Sequence, residues 1–304
     1  MAKNENFKTI KELMTQNKMK SLHADTSDAG FAKYINSPLV KPLNLSDEEL
    51  RRYASVIKRM VDDDEKCRSL SDACANNTNY HISLVRNNGE IEVVSIPCEK
   101  MERIVRIKPK YLIRNFANNL LNVKIDSTFF KTVDPTKQKL LNLYYAMVKN
   151  NRVDHGIYVY GQMGIGKTFT SIALANELAN LGHTIAFVFV PDIVYELKQG
   201  FNKENSLNNE LIEKMKSADI LFLDDIGAED TNMWFYNEYL LIVLNYRMQN
   251  SKPTFFNSNL SIEDFHAKLS KLMNRSLNAN RLTERIKSLT KNEQYEIRGV
   301  NKRY

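Results

Sequence analysis

One eight-residue segment limits what this 304-residue chain can fold into more than any other feature. It fits the pattern G-x-x-x-x-G-K-[ST], in which glycines let backbone N–H groups close around phosphate oxygens. A buried strand is predicted over 156–160 and a helix over 168–181, so the segment has the strand–loop–helix context that a triphosphate site requires. The predicted nucleotide-binding residues are Gly161, Gln162, Met163, Gly164, Ile165, Gly166, Lys167 and Thr168.

The helix after this loop adds an electrostatic contribution to the site. Its N-terminus carries partial positive charge and points toward the same phosphates. We expect the ammonium group of Lys167 to reach the β- and γ-phosphates, and the hydroxyl group of Thr168 to bind Mg²⁺. The loop therefore predicts a site for a nucleoside triphosphate and its magnesium ion.

Two adjacent carboxylates, Asp224 and Asp225, follow the apolar run over 220–223. Ligands bind outside the carboxyl ends of parallel strands, so a buried strand that ends in carboxylates predicts a metal site. We assign Asp224 to Mg²⁺, directly or through water, and Asp225 to orienting and polarising the attacking water. The alternative is that the pair only ends a strand and begins a turn. The glycine loop, about 55 residues upstream, favours the first interpretation.

A further strand is predicted over 254–257, and asparagines stand at its end and just beyond it. We expect one of them to position the attacking water by hydrogen bonding, with Asn259 the first choice and Asn257 the alternate. The residues alone also allow the simpler interpretation of a turn asparagine.

Predicted helices and apolar strands alternate from about residue 135 onward. Helices are predicted over 136–149 and 234–248, and continuous apolar strands over 184–190 and 219–224. Strands that are apolar throughout are typical of a parallel sheet covered on both faces. The pattern therefore predicts an α/β fold, a three-layer sandwich with a parallel sheet.

The N-terminal part of the chain has a different pattern. Ser46 and Glu49 form a predicted capping box that begins a helix ending near residue 64. Two strand-like runs, over 80–85 and 90–96, are joined by an Asn-Asn-Gly segment that is typical of a hairpin. We predict a small α+β domain over 1–104, a linker over 105–132 with exposed extended chain near 106–110, and the α/β domain over 133–304. The helical pattern over 6–20 fits either a helix packed on its own domain or a docking arm for a partner.

Composition limits the class of protein. No apolar run approaches the ~20 residues of a membrane span, and the N-terminus has no apolar signal core. With three cysteines, a disulfide framework is not expected, and we expect a cytoplasmic protein without membrane contact. The net charge of +7 favours acidic partners such as nucleic acid, although a mildly basic surface also serves solubility alone.

Three segments in this order carry a resemblance to a known family: Gly161–Thr168, Leu223–Gly227 and Phe255–Leu260. Together they resemble the DnaC/DnaI family of bacterial replicative-helicase loaders, over about residues 130–304. The resemblance implies an AAA+ P-loop fold, with ATP and Mg²⁺ as cofactors and hydrolysis of ATP to ADP and phosphate. The Leu-Asp-Asp-Ile-Gly string is fairly specific to this family and to its transposition-helper relatives.

The same resemblance implies roles for basic residues near the C-terminus. Arg285, with Arg281 as the alternate, would reach the ATP of a neighbouring subunit as an arginine finger, and Arg303 would sense ATP within its own subunit. A helix face with three cations would contact the phosphates of single-stranded DNA, unless it is only a solvated face. These cations are Lys268, Lys271 and Arg275.

All three cysteines lie in one short segment of the N-terminal domain, together with one histidine. They form a candidate Cys₃His set for Zn²⁺: Cys67, Cys74, His81 and Cys98. The DnaI branch resembles this in having a small zinc-binding domain that contacts the helicase. However, the usual C-x-x-C pair is absent, so the alternative is that the cysteines are ordinary buried residues.

The resemblance implies an ATP-dependent loader of the replicative DNA helicase, a primosome component. Its expected partners are the helicase, other primosome or initiator proteins, further copies of this chain in an ATP-dependent oligomer and single-stranded DNA. The alternatives are a transposition-helper ATPase, which usually lacks the cysteine-containing module, and an adaptor that binds ATP without hydrolysing it. A small-molecule kinase would not explain the two aspartates followed by the asparagine strand.

Overall fold

The chain divides into an N-terminal unit, residues 1–105, and a C-terminal unit, residues 106–304. The computed structural model describes residues 30–70, 74, 76, 78–125, 134–200, 206–228, 234–273 and 276–299. The helix predicted over 6–20 lies outside these residues.

A long helix packed on a β-hairpin forms the N-terminal unit. Its elements are helix α1 (Ala32–Ile35), helix α2 (Asp47–Ser69), strand β1 (Tyr80–Asn87), strand β2 (Glu90–Pro97) and short 3₁₀ turns at Lys41–Leu43 and Glu99–Met101. The predicted capping box is confirmed, since the Ser46 hydroxyl accepts from Glu49 N and the Glu49 carboxylate accepts from Ser46 N. Helix α2 runs five residues beyond the predicted end.

The predicted hairpin is confirmed as well. Strands β1 and β2 pair antiparallel from Tyr80↔Pro97 to Asn87↔Glu90. Asn88 and Gly89 form the two-residue turn with φ values of 50° and 88°, which such a turn requires. The hydrophobic core of this unit lies between the hairpin and α2, and includes Ile57, Met60, Val61, Leu84 and Ile91.

The C-terminal unit is built on six parallel strands in the order β3-β5-β6-β7-β4-β8. The strands are β3 (Tyr111–Arg114), β4 (Tyr158–Tyr160), β5 (Ile185–Phe189), β6 (Ile220–Ile226), β7 (Thr254–Ser258) and β8 (Gln294–Glu296). The helices are α3 (Glu102–Ile107), which begins before the division between the units, α4 (Pro135–Lys149), α5 (Lys167–Asn180), α6 (Val190–Gly200), α7 (Ser206–Ser217), α8 (Leu241–Gln249), α9 (Ile262–Met273) and α10 (Ser276–Leu289).

Alternate residues of the central strands point to opposite faces of the sheet, and both faces are buried. On one face, Phe187, Phe222 and Phe255 stack in register, with centroid distances of 5.5 and 4.8 Å, and Tyr144 of α4 packs on Phe255. On the other face, Val188 and Leu223 pack in one core with apolar residues of α6, α8, α9 and α10. This confirms the predicted α/β sandwich with a parallel sheet.

Three details differ from the sequence prediction. The segment predicted as extended chain near 106–110 contains the end of helix α3 and a 3₁₀ turn, because Ile107 is fully buried and anchors the chain. Part of the predicted linker, Tyr111–Arg114, is an edge strand of the sheet, paired with β5. The long helix predicted from Trp234 begins as a π-helical turn over Phe235–Leu240 and becomes α-helical at Leu241.

Among the residues that the structure describes, no helix combines the length and the apolar content needed to cross a membrane.

Candidate nucleotide and metal sites

The glycine loop joins the end of β4 to the first residue of α5, as the motif predicts. Gly161, Gly164 and Gly166 have φ values of 145°, 80° and 96°. This backbone conformation is unfavourable for any residue that has a Cβ. A Cβ on Gly161 would lie 2.2 Å from the carbonyl oxygen of Ile297. Glycine is therefore required at position 161 both by the backbone conformation and by the close approach of Ile297, the residue after β8.

The buried Lys167 ammonium group holds this loop to a neighbouring strand. It donates to the carbonyl oxygens of Gly161 and Gln162, at 2.7 and 2.9 Å, and to Oδ1 of Asn259 at 2.8 Å. A second cation supports the loop from outside, since Lys137 of α4 donates to the carbonyl oxygen of Ile165 at 3.2 Å. The sequence pattern did not indicate Lys137, because nothing local to α4 marks which of its lysines meets the loop.

Thr168 and Asp224 lie in direct contact. The Thr168 hydroxyl is 2.9 Å from Oδ2 and 3.1 Å from Oδ1 of Asp224. Asp224 is 2% exposed, and this burial raises the pKa of its carboxyl group to about 6, against the opposing effect of hydrogen bonds from Asn257 and Thr168. A hydroxyl and a carboxylate in contact beside a phosphate-type loop are the oxygen ligands that Mg²⁺ takes in phosphoryl-transfer sites, so these residues fit the ion.

Strand β6 is irregular where the two aspartates stand, and both carboxyl groups line the same cavity while they contact different residues. The pairing of β6 with β7 shifts register between Leu223 and Ile226, and Asp225 has a φ of +60°. Asp224 faces Thr168, whereas Oδ1 of Asp225 accepts from Nδ2 of Asn259 at 3.0 Å.

The two candidate asparagines occupy different places. Asn259 links Lys167 to Asp225 and lines the cavity beside the loop. Asn257 is 3% exposed and lies underneath, where its Nδ2 donates to Asp224 Oδ1 at 2.7 Å. The geometry favours the first choice, Asn259, for a contact with ligand.

The cavity beside the loop has a volume of about 470 Å³. One part of its wall is polar and contains Lys167, Thr168, Asp224, Asp225 and Asn259; the other part is apolar and contains Leu120, Met163, Phe169, Ile172 and Phe189. Sequence reasoning missed Leu120, Phe169 and Phe189, because apolar residues from three separate segments carry no shared motif.

The predicted arginines lie on α10 or beyond. Arg285 is half-buried and its Nε donates to Oδ1 of Asn245 on α8 at 2.5 Å, whereas Arg281 is exposed. Neither is among the described residues that line the cavity. Arg303 lies outside the described residues.

Two of the three predicted DNA-binding cations, Lys268 and Lys271, stand three residues apart on α9. Lys268 donates to the carbonyl oxygen of Gly227 at 2.6 Å, and Lys271 is exposed. Arg275 lies outside the described residues.

The structure brings together all four candidate zinc ligands in the N-terminal unit. Cys67 lies in the last turn of α2, Cys74 stands between α2 and β1, His81 is on β1 and Cys98 follows β2. Their ligand atoms all lie within 4.8 Å of one another. The wide spacing between the first two cysteines is therefore no obstacle to a shared site.

The distances within this cluster match a tetrahedral zinc site. The Cys67 sulfur is 3.7 Å from that of Cys74, 3.9 Å from that of Cys98 and 3.3 Å from His81 Nε2. A tetrahedron with Zn–S bonds of about 2.3 Å has S–S edges of about 3.8 Å, so the residues fit Zn²⁺. Burial raises the pKa of the Cys74 thiol to about 12. A bound cation would have the opposite effect, because it stabilises the thiolate form.

Comparison with known proteins places these features in a family context. Residues 101–301 match the family model described as IstB-like ATP binding protein. The replicative helicase loader DnaI of Bacillus subtilis (strain 168) is 30% identical over 212 residues, which are 66% of this chain and 64% of that protein. The replicative helicase loader DnaC of Escherichia coli (strain K12) is 26% identical over 106 residues, which are 34% of this chain and 42% of that protein.

A crystal structure of DnaI also matches, with 28% identity and a TM-score of 0.56, over 64% of this chain and all of that one. The chain thus spans less than two thirds of the length of both curated relatives.

Proposed function

This chain belongs to the family of IstB-like ATP binding proteins, and we propose that it hydrolyses ATP in order to load a replicative DNA helicase. The predicted resemblance to helicase loaders is thereby confirmed at the level of family. The main support for ATP hydrolysis is the contact between the Thr168 hydroxyl group and the Asp224 carboxylate beside the glycine loop. A loop that only held phosphate would not need a buried carboxylate beside it.

We assign each polar residue of the cavity a role in hydrolysis. Thr168 and Asp224 would hold Mg²⁺, which supplies charge neutralisation at the phosphates when it is bound. Lys167 would exchange its contact with Asn259 for the β- and γ-phosphates, since its long side chain can turn within the loop. The backbone N–H groups of the loop and the N-terminus of α5 would bind the remaining phosphate oxygens.

Asp225 and Asn259 would act on the attacking water. Oδ1 of Asp225 already accepts from the Asn259 amide, which leaves its Oδ2 to accept from water. Because Asn259 also contacts Lys167, the same amide connects the group that binds the γ-phosphate with the group that polarises the nucleophile.

Completion of the site from a second subunit is part of the proposal. Arg285, or Arg281 in its place, would reach the ATP of a neighbouring copy and stabilise charge in the transition state, and Arg303 would contact ATP in its own subunit. Turnover by isolated chains would therefore be slow, and ATP would favour an oligomer.

Helicase loading rests on the two relatives named as replicative helicase loaders. We propose that residues 1–104 contact the helicase. Zn²⁺ bound by the Cys₃His cluster would stabilise the fold of these residues. Single-stranded DNA and other primosome proteins would be further partners. ATP and ADP would favour different arrangements of the oligomer, so that hydrolysis releases the helicase.

The direct test is ATP turnover by the purified full-length chain, with and without single-stranded DNA and the helicase. Lys167→Ala should abolish ATP binding and turnover, whereas the matched control Lys214→Ala, which removes a partly exposed ion pair with Glu210 on α7, should leave both unchanged. Binding of Mg·ATP without turnover under every condition would favour the non-hydrolysing adaptor. Capture of a transposase rather than the helicase, in parallel ATP-dependent pull-downs, would favour the transposition helper.

A further inference from the structure

A closed ring of four polar side chains lies beneath the proposed magnesium site. Thr168 contacts Asp224, Asp224 Oδ1 accepts from Asn257 Nδ2 at 2.7 Å, and Asn257 Oδ1 accepts from the Ser171 hydroxyl at 3.0 Å. Thr168 and Ser171 stand three residues apart on α5, so one turn of that helix closes the ring. The ring joins α5, β6 and β7.

The ring is sealed from water on its inner side. Ser171, Asp224 and Asn257 are 1%, 2% and 3% exposed. A buried carboxylate that lacked these donors would face a large desolvation penalty. The Asn257–Asp224 bond is charge-assisted when Asp224 is ionised, which makes it one of the stronger hydrogen bonds in this unit.

The orientation of the Asn257 amide is determined by its two neighbours. Its NH₂ group must face the carboxylate, because an ionised carboxylate only accepts. The amide oxygen then faces Ser171, whose hydroxyl group can donate to it. A reversed amide would place its own oxygen against the Asp224 carboxylate oxygen, and the hydrogen bond between Asn257 and Asp224 would be lost. The carboxylate and the serine together fix the amide, and the amide in turn holds Oδ1 of Asp224 in place.

We propose that Asn257 and Ser171 are positioning residues that orient the Asp224 carboxylate toward Mg²⁺. Neither side chain lines the cavity among the described residues, so both act through Asp224. The proposal rests on the magnesium role of Asp224 in the proposed function. It also gives Asn257 a role different from the positioning of water.

The first test is the variant Asn257→Leu, which keeps the volume and removes the donor. Residues that orient a metal ligand typically change metal affinity 10–100-fold when they are replaced. We expect the Mn²⁺ affinity of the ADP complex, measured by electron paramagnetic resonance, to fall by about this factor. Binding of a fluorescent ATP analogue in EDTA should change by less than about 3-fold, because the loop and Lys167 are untouched.

Asn208→Leu is the matched control. Asn208 is also buried, at 6% exposure, and donates to the carbonyl oxygen of Leu197 at 3.4 Å; neither residue lines the cavity among the described residues. It should leave Mn²⁺ affinity unchanged. If Asn257→Leu does not fold, as judged by circular dichroism, Ser171→Ala takes its place, and we expect a smaller loss in the same direction.

The outcomes separate this inference from the function on which it rests. If the native chain binds ATP with no dependence on Mg²⁺ or Mn²⁺, the proposed ATPase function fails. If the native chain shows metal dependence but a folded Asn257→Leu or Ser171→Ala variant binds Mn²⁺ normally, only the positioning role is overturned. An equal loss of affinity with and without metal would also overturn it, since that result indicates general damage to the loop.

Discussion

The ammonium group of Lys167 lies 2.8 Å from the side-chain oxygen of Asn259, and the amide nitrogen of the same asparagine lies 3.0 Å from Asp225. Asn259 thus connects Lys167, which we expect to bind the phosphates, with Asp225, which we expect to polarise the attacking water. In sequence, Asn259 stands 92 residues from Lys167 and 34 from Asp225.

This link predicts that Asn259→Ala separates binding from chemistry. The loop and Asp224 stay in place, so affinity for Mg·ATP should change by less than about 3-fold. The single-turnover rate should fall roughly 10²-fold or more, because water loses a positioning group. Rapid-quench measurement of ADP formation at saturating ATP provides the check. A normal single-turnover rate in Asn259→Ala would show that Asn259 does not position the attacking water.

Gly166→Ala and Gly182→Ala form a matched pair of glycine variants. Both positions have positive φ, +96° and +105°, so each variant should lose about 1 kcal/mol of stability. Only at position 166 would the new Cβ approach another group, the Lys137 ammonium at 2.8 Å. We expect ATP affinity to drop at least about 10-fold in Gly166→Ala and to stay normal in Gly182→Ala, as calorimetric titration can show. Equal affinities in the two variants would contradict the required shape of the loop.

Metal content tests the cysteine cluster. The purified chain should contain one Zn²⁺, and Cys98→Ser should reduce this to well under one, as atomic emission can measure. The Co²⁺-substituted protein should show the absorption of a tetrahedral thiolate site. His183→Ala, which changes an exposed histidine outside the cluster, should keep the metal. Chain purified without metal that accepts no stoichiometric Zn²⁺ or Co²⁺ would contradict the assignment.

A buried arginine should dominate the stability of the C-terminal unit. Arg247 is fully buried, and burial lowers the pKa of its guanidinium group to about 9, so it remains charged at neutral pH. Its nitrogens donate to Thr254 Oγ1 and to the carbonyl oxygens of Met215, Lys216, Ala218, Asp219 and Pro253.

Arg247→Met would remove the guanidinium donors from these acceptors at the starts of β6 and β7, where Pro253 O keeps a bond from Leu221 N and Ala218 O keeps one from the Lys252 ammonium group. The free energy of unfolding should fall by about 3–5 kcal/mol, as measured by urea denaturation. Arg52→Met, which removes an exposed ion pair with Glu48 on α2, should change it by less than about 1 kcal/mol. A similar small effect for both variants would show that the acceptors find other donors.

Acid should weaken the N-terminal unit through Glu49. The Arg86 side chain, followed by the backbone N–H of Ser46, lowers the pKa of Glu49 from 4.5 to about 2. Because the pKa is lower in the folded state, this stabilisation is present above pH 4.5 and is lost as the pH falls toward 2. The melting temperature of Glu49→Gln should therefore converge with that of the native chain as the pH falls through this range.

Glu48→Gln provides the comparison, since Glu48 forms an exposed ion pair with Arg52 and its side chain is 81% exposed. Its melting temperature should follow that of the native chain at every pH. A constant difference between the native chain and Glu49→Gln from pH 6 to pH 2 would contradict the assignment.

Local patterns in the sequence predicted the features that depend on local physics. The glycine loop, the Ser46 capping box and the Asn-Gly hairpin each arise from residues within eight positions of one another, where spacing alone determines geometry. The parallel sheet was predictable because its central strands are apolar throughout.

Features that depend on contacts between distant segments were not predictable in this way. The Ser171–Asn257 bond spans 86 residues, and the Lys137 contact with the loop spans 28. The burial of Arg247 was hidden because an arginine in a helix usually faces solvent. Strand β3 was missed because four residues, Tyr111–Arg114, carry too weak an alternation to separate an edge strand from irregular chain.

The irregularity in β6 has a consequence for how relatives of this chain can diverge. In a regular strand, neighbouring side chains project from opposite sides, and one of the two acids would be lost to the far layer of the sandwich. The left-handed turn at Asp225 keeps both at a single rim while giving them separate surroundings. Substitution of Asp225 could therefore slow or abolish ATP hydrolysis while the proposed metal site at Asp224 persists. Two neighbouring residues would then allow the rate of hydrolysis and the binding of Mg·ATP to change independently among relatives.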